Sequence, residues 1–382
     1  MLTKIITEGT TRVEVPVPDE TSSFPPSSAA VFYNPAMRMN RDIAVAAIAC
    51  FSRNNPDYTY LDALSASGIR GLRIANEIGL NTTMSDWEET SFELIRRNIE
   101  LNSLTNCTAI KRNANVVMLD NSFDIIDLDP FGTPAPFLDA ACFSTKRLLC
   151  VTATDTAPLC GAHKKAGIRN YAAVPLKTEY YPEMGVRILM GAVARTLTKY
   201  DKAMMPLLSY ASAHYVRIFS AMKKGIKEAD GCLESMGFVL HCFNCGARDW
   251  KYGLAAHIKE ECPVCGHKTS LAGPLWLGGL HDKDFCGEVS GEIEKRGFKE
   301  AQKLILTCRD EIDIPLHYDY HKICKALGLT AMPTDELIVA LRKRGFRASR
   351  THFSGISFKT DAGMEEISKT VLELAKKYKQ QD

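Results

Sequence analysis

The sequence lacks any long hydrophobic run. Its longest apolar stretch, IAVAAIACF, spans nine residues, whereas a membrane-spanning helix needs about 20 apolar residues. The first 20 residues contain acids and prolines but no continuous apolar core, which argues against a secretory signal peptide. These absences predict a cytoplasmic protein with no membrane association.

The sequence also lacks a large excess of one charge. The formal net charge is only +2, from 47 basic and 45 acidic residues. Nucleic-acid binding therefore cannot be inferred from the total charge and would require a local basic surface. We find no internal repeat and no low-complexity tract, and no obligatory protein partner is predicted.

Cysteine, in contrast, is abundant, with 13 residues in a chain of 382. A disulfide framework is not expected in a cytoplasmic protein of this size, so the thiols should be reduced. Two C-x-x-C pairs are separated by 16 residues and comprise Cys242, Cys245, Cys262 and Cys265. This spacing is typical of tetrahedral zinc, and four thiolates leave no open coordination position. The pattern predicts a structural zinc ribbon; the alternative is a set of reduced, unliganded cysteines.

The order of helical and strand patterns predicts the domain organisation. Residues 1–30 end in the Pro/Ser-rich TSSFPPSSAA and are predicted to be a mobile N-terminal lead-in. Helices and strands alternate from 31 to 235, which predicts an α/β fold with a doubly wound, Rossmann-like sheet. Such sheets bind ligands at the carboxyl ends of their strands. Residues 236–275 hold the zinc-ribbon segment, and 276–382 form a smaller α+β C-terminal domain.

The segment LDALSASGIRGLR predicts a strand, a tight turn of small residues and a helix start. Small residues allow a ligand to approach the backbone, although the G-x-G-x-x-G of dinucleotide-binding turns is missing. Asp86, 18 residues after Gly68, lies where such folds bind ribose hydroxyls. Asn113 and Ala114 end the next strand, and Arg41 could pair with a ligand carboxylate. The alternative is that these are only turn residues and solvated charges.

The segment FDIIDLDPFGTP predicts a buried strand that ends at Asp129 and turns sharply at Pro-Phe-Gly. A strand-terminal carboxylate beside an aromatic ring suits a reaction at the exocyclic amine of a flat heterocycle. Asp129 can accept a hydrogen bond from the amine and take or relay its proton. Phe131 can stack on the base, with Phe32 or Tyr33 closing its other face. The alternative is that Asp129 caps a neighbouring helix.

Seven segments together resemble the tRNA (guanine-26) N2-dimethyltransferase family: VFYNPAMRMNRD, LDALSASGIRG, IDLDPFGTP, TATDTAPLCG, TEYYPEMGVRIL, GPLWLG and SRTHFSGISFKT. The resemblance implies S-adenosylmethionine as methyl donor, guanine at tRNA position 26 as acceptor, and two successive methylations of its amino group. It implies cofactor positions at Arg41, Arg70, Asp86, Asn113 and Ala114, and base-handling positions at Asp129, Phe131 and Phe32. The family usually has Asp where this chain has Asn113. We expect cofactor binding to persist, because Asn also offers an acceptor.

The C-terminal segment RKRGFRASRTH holds five basic residues within nine positions: Arg342, Lys343, Arg344, Arg347 and Arg350. With the helical patterns before it, this segment resembles a winged-helix arrangement that lays cations along phosphates. The alternative is a solvated basic face. Given an RNA substrate, the segment predicts tRNA binding. A second basic segment, GAHKKAGIRNY, could hold the RNA beside the target base.

Two other functions stay open at this point. One is an amino-methyltransferase acting on adenine or on a protein amide; strand tips for those substrates read Asp/Asn-Pro-Pro-aromatic, where this chain reads Asp-Pro-Phe-Gly. The other is a non-catalytic zinc-ribbon RNA-binding protein, for which Asp129 would be dispensable. The coincidence of a strand-end acid, a proline and an aromatic residue favours the enzyme.

Overall fold

The structure of the protein is a computed structural model, which describes residues 2–17, 31–212 and 214–379. The Pro/Ser-rich part of the predicted lead-in, residues 18–30, lies outside these ranges. Within them, no helix combines the length and the hydrophobicity needed to cross a membrane.

A seven-stranded sheet forms the centre of the larger domain. Its strands are β3 (Thr59–Asp62), β4 (Asn81–Asp86), β5 (Cys107–Lys111), β6 (Phe123–Leu128), β7 (Thr145–Ala153), β8 (Lys202–Ser212) and β9 (Tyr215–Lys224). They lie in the order β5-β4-β3-β6-β7-β9-β8, with β3 to β7 parallel and the last two antiparallel. The order reverses between β3 and β6, and such a switch point is where doubly wound sheets bind ligands. The predicted fold class is confirmed.

Helices cover both faces of this sheet. They are α1 (Arg38–Ser52), α2 (Ile69–Ile78), α3 (Glu89–Leu101), α4 (Ala114–Asp120), α5 (Leu138–Ser144), α6 (Thr156–Leu159), α7 (Lys164–Tyr171), α8 (Tyr181–Thr198), α9 (Ile226–Glu234), α10 (Lys283–Arg296) and α11 (Lys299–Asp310). One hydrophobic core contains α4, α5 and α8, and a second contains α1, α10 and α11. The sequence pattern did not predict α4, which spans only seven residues.

The first part of the predicted lead-in is a hairpin of β1 (Thr3–Glu8) and β2 (Thr11–Pro16). Val13 and Val15 are fully buried in a cluster with side chains of α2 and α3. Asn98 of α3 accepts from the Glu14 amide at 2.7 Å and donates to the Glu14 carbonyl at 3.0 Å. These contacts fix the hairpin on the larger domain, so residues 3–16 are not the mobile segment that was predicted.

The cysteine-bearing segment folds as a three-stranded antiparallel sheet of β10 (Met236–His241), β11 (Arg248–Tyr252) and β12 (Ser270–Trp276). Its inner side chains, including Val239 and Leu275, lie in the same core as α8. A Cβ on Gly191 of α8 would lie 3.1 Å from the Leu275 Cα, so glycine permits this close packing. The ribbon thus extends the core of the larger domain.

The C-terminal region contributes to two cores. Helices α10 and α11 pack with α1 against the large sheet. A separate core lies between β13 (Tyr318–Asp319), α12 (Tyr320–Ala326), α13 (Thr334–Lys343), β14 (Ala348–Arg350), β15 (Ser357–Thr360) and α14 (Met364–Lys379). The predicted order of two helices and two short strands is present, and β13 adds a third strand in the order β13-β15-β14.

Candidate active site at the carboxyl edge of the large sheet

Asp129 follows directly after β6, at the switch point of the large sheet. Its side chain is 22% exposed, whereas Asp127, two residues earlier, is fully buried. Arg70, in the first turn of α2, forms an ion pair with Oδ2 of Asp129. The carboxylate predicted from the sequence therefore lies at the ligand-binding edge and is held by a guanidinium.

Arg70 is itself fixed by a buried network. Its Nη2 donates to Oδ1 of Asn40 at 2.7 Å, and its Nη1 lies 3.8 Å from Oδ2 of Asp127. Asp127 accepts two hydrogen bonds from Arg217 of β9, at 2.6 and 2.7 Å. Buried charges are stable only when they are paired and hydrogen-bonded. Arg70 and Arg217 are thus paired with Asp127 and Asp129, and this network holds the Asp129 carboxylate in place.

The pKa of Asp129 is lowered from its ordinary value. Burial alone would raise it, but the positive charges of Arg70 and Arg217 and hydrogen bonds from Arg70 and Thr152 outweigh that effect. Asp129 is therefore ionised at neutral pH. A carboxylate can accept about four hydrogen bonds, so it retains capacity to accept one from a ligand.

The turn from Asp129 to Gly132 is pinned to the end of β7. The Gly132 amide donates to Oγ1 of Thr154 at 2.8 Å, and the Thr154 amide donates to the Gly132 carbonyl at 3.0 Å. Gly132 has φ of 87°, and no atom lies within 4 Å of the position that a Cβ would occupy. Glycine allows this left-handed conformation. The turn is thus fixed, with open space beside it.

Phe131 and Phe32 form an aromatic surface next to this turn. Phe131 is 71% exposed, and its ring centroid lies 5.9 Å from that of Phe32 at an interplanar angle of 59°. Rings at this separation contact each other, so a base cannot lie between them unless the pair opens. The exposed ring of Phe131 is available for stacking.

The turn after β3 and the tip of β4 form the other part of the cleft. Ala66 and Gly68 both have positive φ, 48° and 78°, which makes the turn tight. Asp86, the last residue of β4, accepts hydrogen bonds from the amides of Ala66 and Glu88 at 2.9 and 3.0 Å. Asp86 therefore ties the turn to the strand tip and keeps acceptor capacity for hydroxyl groups.

Asn113 and Ala114 lie where β5 passes into α4. Asn113 is the N-cap of α4, because its Oδ1 accepts from the Asn115 amide at 3.0 Å. Ala114 is buried. Asp and Asn are about equally good N-cap residues, so the departure from the family pattern keeps the local helix start intact.

Arg41 forms its hydrogen bonds with the N-terminal hairpin and the segment before α1. Its buried guanidinium donates to Glu8 of the N-terminal hairpin at 2.8 and 2.5 Å, and to the Asn34 carbonyl at 3.3 Å. The Tyr33 hydroxyl donates to the same Glu8 carboxylate at 3.1 Å. Arg41 thus anchors the segment that carries Phe32, and two nitrogens of its guanidinium are hydrogen-bonded to Glu8.

Two buried donors near Asp129 lack hydrogen-bond partners among the described residues: Asn40 Nδ2 and Arg70 Nη1. Leaving a buried donor unpaired costs about 1–3 kcal/mol. A carboxylate is an acceptor that suits either donor. Together with the Asp86 carboxylate and the tight Ala66–Gly68 turn, these donors fit a cofactor that carries an amino-acid group and a ribose.

Three residues of this site were not predicted from the sequence: Asn40, Arg217 and Asp155. Asp155 accepts from the hydroxyl of Tyr171 at 2.6 Å, and Tyr171 also contacts the Thr133 hydroxyl at 2.9 Å. Asp155 lies just beyond the end of β7, so the rule that identified Asp129 could have found it. No local signal marks Arg217, whose partner Asp127 lies 90 residues away.

The four predicted zinc ligands converge at the end of the ribbon sheet. Their sulfur atoms all lie within 4.8 Å of one another, with two pairs at 3.5 and 3.6 Å. Tetrahedral Zn–S bonds of about 2.3 Å place the sulfurs roughly 3.8 Å apart. The glycine after each pair donates its amide to the carbonyl of the first cysteine at 2.9 Å. The geometry of Cys242, Cys245, Cys262 and Cys265 therefore fits a structural zinc ion.

Three of the four arginines in the C-terminal basic segment form ion pairs, whereas Arg342 donates to the Ala348 carbonyl and Lys343 is exposed with no ion pair to a described residue. Arg344 contacts Glu366 and Glu373 at 2.6 and 2.9 Å, Arg347 contacts Asp361 at 3.0 Å, and Arg350 contacts Asp335 at 2.7 Å. These acids belong to the same small domain, so much of the predicted positive surface is neutralised locally.

The second basic segment contains α7 and lies beside the Asp129 turn, because Tyr171 at the end of α7 contacts Thr133. Its Lys164, Lys165 and Arg169 are exposed and form no ion pair with any described residue. The helix that ends at the Asp129 turn thus carries exposed cations that have no acidic partner among the described residues.

Comparison with known proteins gives a consistent result. The family model for N2,N2-dimethylguanosine tRNA methyltransferase matches residues 9–372. The chain is 54% identical to the tRNA (guanine(26)-N(2))-dimethyltransferase of Methanosarcina mazei, covering 98% of this chain and 100% of that protein. It is 47% identical to the protein of the same name from Haloarcula marismortui, covering 95% and 98% respectively.

A solved structure of Trm1 from Pyrococcus horikoshii in complex with S-adenosyl-L-methionine superposes with a TM-score of 0.86 at 37% identity. The match covers 96% of this chain and 99% of that one. A family match of this length, with relatives aligned from end to end, leaves no competing assignment. The chain belongs to the N2,N2-dimethylguanosine tRNA methyltransferase family.

Proposed function

We propose that this protein transfers methyl groups from S-adenosylmethionine to the exocyclic N2 of guanine 26 in tRNA, giving N2,N2-dimethylguanosine. Full-length relatives named for this activity support the assignment, as does the S-adenosylmethionine complex of a protein with the same fold. The observation that carries it is Asp129, an ionised carboxylate held by Arg70 at the switch point beside an exposed phenylalanine.

Asp129 acts by orienting the amine. The lone pair of an exocyclic guanine nitrogen is delocalised into the ring, so the nitrogen is a weak nucleophile. When one N–H donates to Asp129, the lone pair turns toward the electrophilic methyl group that bound S-adenosylmethionine supplies. The nitrogen–carbon bond forms as the carbon–sulfur bond breaks, and the nitrogen then loses a proton to Asp129 and onward to solvent. Because the methylated nitrogen is strongly acidic, a carboxylate of lowered pKa is a sufficient acceptor.

Rigid placement supplies most of the catalytic effect in this mechanism. Alignment of an attacking atom with its target can contribute several kcal/mol without strong-base chemistry. Arg70 restrains the carboxylate, and the Gly132–Thr154 hydrogen bonds restrain the turn after it. The open space at Gly132 accommodates the first methyl group while the remaining N–H turns to Asp129 for the second transfer.

The other predicted residues take supporting roles in this proposal. The exposed ring of Phe131 stacks on the guanine, and Phe32 supports that ring from behind. Asp86 binds the ribose hydroxyls of the cofactor, and Asn113 and Ala114 contact its adenine. Arg70, with its unpaired Nη1, takes the cofactor carboxylate, while Arg41 positions the Phe32 segment through Glu8.

We assign tRNA contact to the α7 cations and to the part of residues 276–382 that forms its own core. The larger domain, residues 31–235, carries the chemistry, and the ribbon of residues 236–275 is structural. A cytoplasmic location suits the buried free thiols of the chain, since reduced cysteines are the rule there.

The decisive experiment is mass spectrometry of nucleosides from unmodified tRNA incubated with the protein and S-adenosylmethionine. We expect N2,N2-dimethylguanosine from a tRNA with guanine at position 26, and no such product from the same tRNA with adenine there. Methyladenosine, or methyl transfer to protein, would support the amino-methyltransferase alternative instead. Tight tRNA binding without any methylated nucleoside would support the non-catalytic alternative.

A further inference from the structure

A second group of potential metal ligands lies between the larger domain and the C-terminal domain. It consists of His281 in the segment between β12 and α10, Cys308 in the last turn of α11, and His352 just after β14. One ligand atom from each residue, a ring nitrogen or the sulfur, lies within 4.8 Å of the other two. None of these residues belongs to the cleft at Asp129 or to the four-cysteine site.

Three of the four ring nitrogens of these two histidines are buried without a hydrogen-bond partner among the described residues. The side chain of His352 is 0% exposed, and its Nε2 makes no hydrogen bond with any described residue. Both ring nitrogens of His281 are buried and likewise unpaired within the described chain. Each buried nitrogen that is left unsatisfied destabilises the folded protein. A purely structural histidine pair would therefore carry an uncompensated cost that a bound ligand removes.

The surroundings of His352 resemble the second sphere of a metal site. Its Nδ1 lies 2.8 Å from Oε2 of Glu311, which fixes the ring and leaves Nε2 as the nitrogen available to a metal ion. Metal-bound histidines commonly bind a carboxylate through the nitrogen that does not hold the metal, and this contact raises their basicity. Two imidazoles and one thiolate are a donor set that tetrahedral zinc accepts.

We propose that His281, Cys308 and His352 bind a second zinc ion, distinct from the ion of the four-cysteine site. On binding, the Cys308 S–H bond breaks and its proton goes to solvent, and a sulfur–zinc bond forms. The two histidines donate neutral nitrogens, and a water molecule completes the tetrahedron.

The site joins parts of the chain that otherwise belong to different cores. Cys308 lies in the core of the large sheet, whereas His352 follows β14 of the C-terminal domain. Ion pairs connect the site to α8, because Lys359 contacts Glu311 at 2.7 Å and Glu183 of α8 at 3.1 Å. Bound zinc therefore holds the C-terminal domain in a fixed position on the catalytic domain.

The test begins with the unaltered full-length protein, purified without chelator and equilibrated with excess zinc salt before unbound metal is removed. Elemental analysis should give two zinc equivalents per chain. Zinc K-edge absorption should show nitrogen neighbours at about 2.0 Å with imidazole outer-shell scattering, in addition to sulfur at about 2.3 Å. One equivalent with sulfur neighbours alone would overturn the proposal, whatever the variants do.

Matched variants then assign the site. Cys308→Ala and His352→Ala should each hold one equivalent and lose the imidazole scattering. The controls Cys324→Ala, a buried cysteine in the C-terminal core, and His321→Ala, an exposed histidine, should keep two equivalents. Retention of two equivalents by both site variants would place the second ion elsewhere and refute the assignment.

Discussion

The catalytic edge of the large sheet and the C-terminal domain both carry arginines and lysines, but they use them differently. At the edge, Arg70 is buried and orients Asp129, while Lys164 and Lys165 of α7 are exposed and unpaired within the described chain. In the C-terminal domain, exposed Arg347 and Arg350 are paired with acids of the same domain.

This difference shows that the position of a basic residue in the sequence does not reveal whether its charge is available to a phosphate. An exposed ion pair contributes little to stability, typically below about 1 kcal/mol, yet it reduces the positive potential that a phosphate meets. The α7 cations have no acidic partner among the described residues, and their helix ends at the Asp129 turn. We therefore expect the catalytic edge to contribute both the chemistry and a large part of the tRNA affinity.

The largest effect is expected from Asp129→Asn, which keeps the shape of the side chain and removes its charge. Single-turnover methyl transfer to tRNA should fall by about 10²–10⁴-fold, while tRNA binding stays near the wild-type value. Asp124→Asn is the matched control, because Asp124 lies at the opposite end of β6 and accepts hydrogen bonds from Thr59. Equal transfer rates for the two variants would mean that Asp129 has no catalytic role.

A smaller loss is expected from Phe131→Ala. Stacking of a base on an aromatic side chain contributes about 1–3 kcal/mol, so kcat/KM for tRNA should fall by about tenfold to a hundredfold. Phe143→Ala is a suitable control, since Phe143 is 48% exposed and packs on Tyr200, away from the cleft. If both variants behave like wild type, Phe131 does not contact the base.

The two basic segments can be compared directly by binding measurements across a range of salt concentrations. Lys164→Ala combined with Lys165→Ala should weaken tRNA binding several-fold. The slope of log affinity against log salt should become shallower by about one for each phosphate that the lysines no longer neutralise. Arg347→Ala combined with Arg350→Ala should have the smaller effect. The reverse order would show that the C-terminal arginines exchange their acids for phosphates on binding.

Local patterns in the sequence predicted the features that depend on neighbouring residues. The alternation of helices and strands predicted the doubly wound sheet, the strand that ends at Asp129 predicted the carboxylate at its edge, and the C-x-x-C spacing predicted the cluster of four cysteines, whose geometry fits zinc. In each case the determining residues lie within one or two elements of each other, so hydrophobic period and spacing carry the information.

Features that depend on distant partners were not predictable in this way. Arg70 lies 59 residues from Asp129, and Arg41 lies 33 residues from Glu8. No spacing rule therefore shows that one guanidinium pairs with Asp129 and the other anchors a hairpin. The ion pairs of the C-terminal domain have the same character. The chain separation between partners, rather than the residue type, set the limit of the prediction.

A small gain of affinity is expected when an acid is removed from the C-terminal domain. Asp335→Asn frees the guanidinium of Arg350, whose pair with Asp335 is exposed. Because exposed pairs are worth about 0.2–1 kcal/mol, tRNA affinity at low salt should rise by no more than about fivefold. Glu93→Gln, which frees Arg96 on α3, controls for the change in net charge. An equal gain in both variants would reflect net charge alone.

The smallest effect concerns the pH dependence of methyl transfer, which distinguishes two acids at the catalytic edge. The pKa of Asp129 is lowered by Arg70 and Arg217 against the opposing effect of burial, so its carboxylate is present above an ordinary acid pKa of about 3.9 and is lost only below it. Burial raises the pKa of Asp62 to about 7. Single-turnover methyl transfer with both substrates saturating should therefore show no fall due to Asp129 between about pH 5 and pH 8. Any change near pH 7 should disappear in Asp62→Asn, which keeps an acceptor for the Gly71 amide. A change that persists in Asp62→Asn would refute the assignment to Asp62 and point to another acid of this edge, such as Asp86 or Asp155, whose pKa values burial also raises.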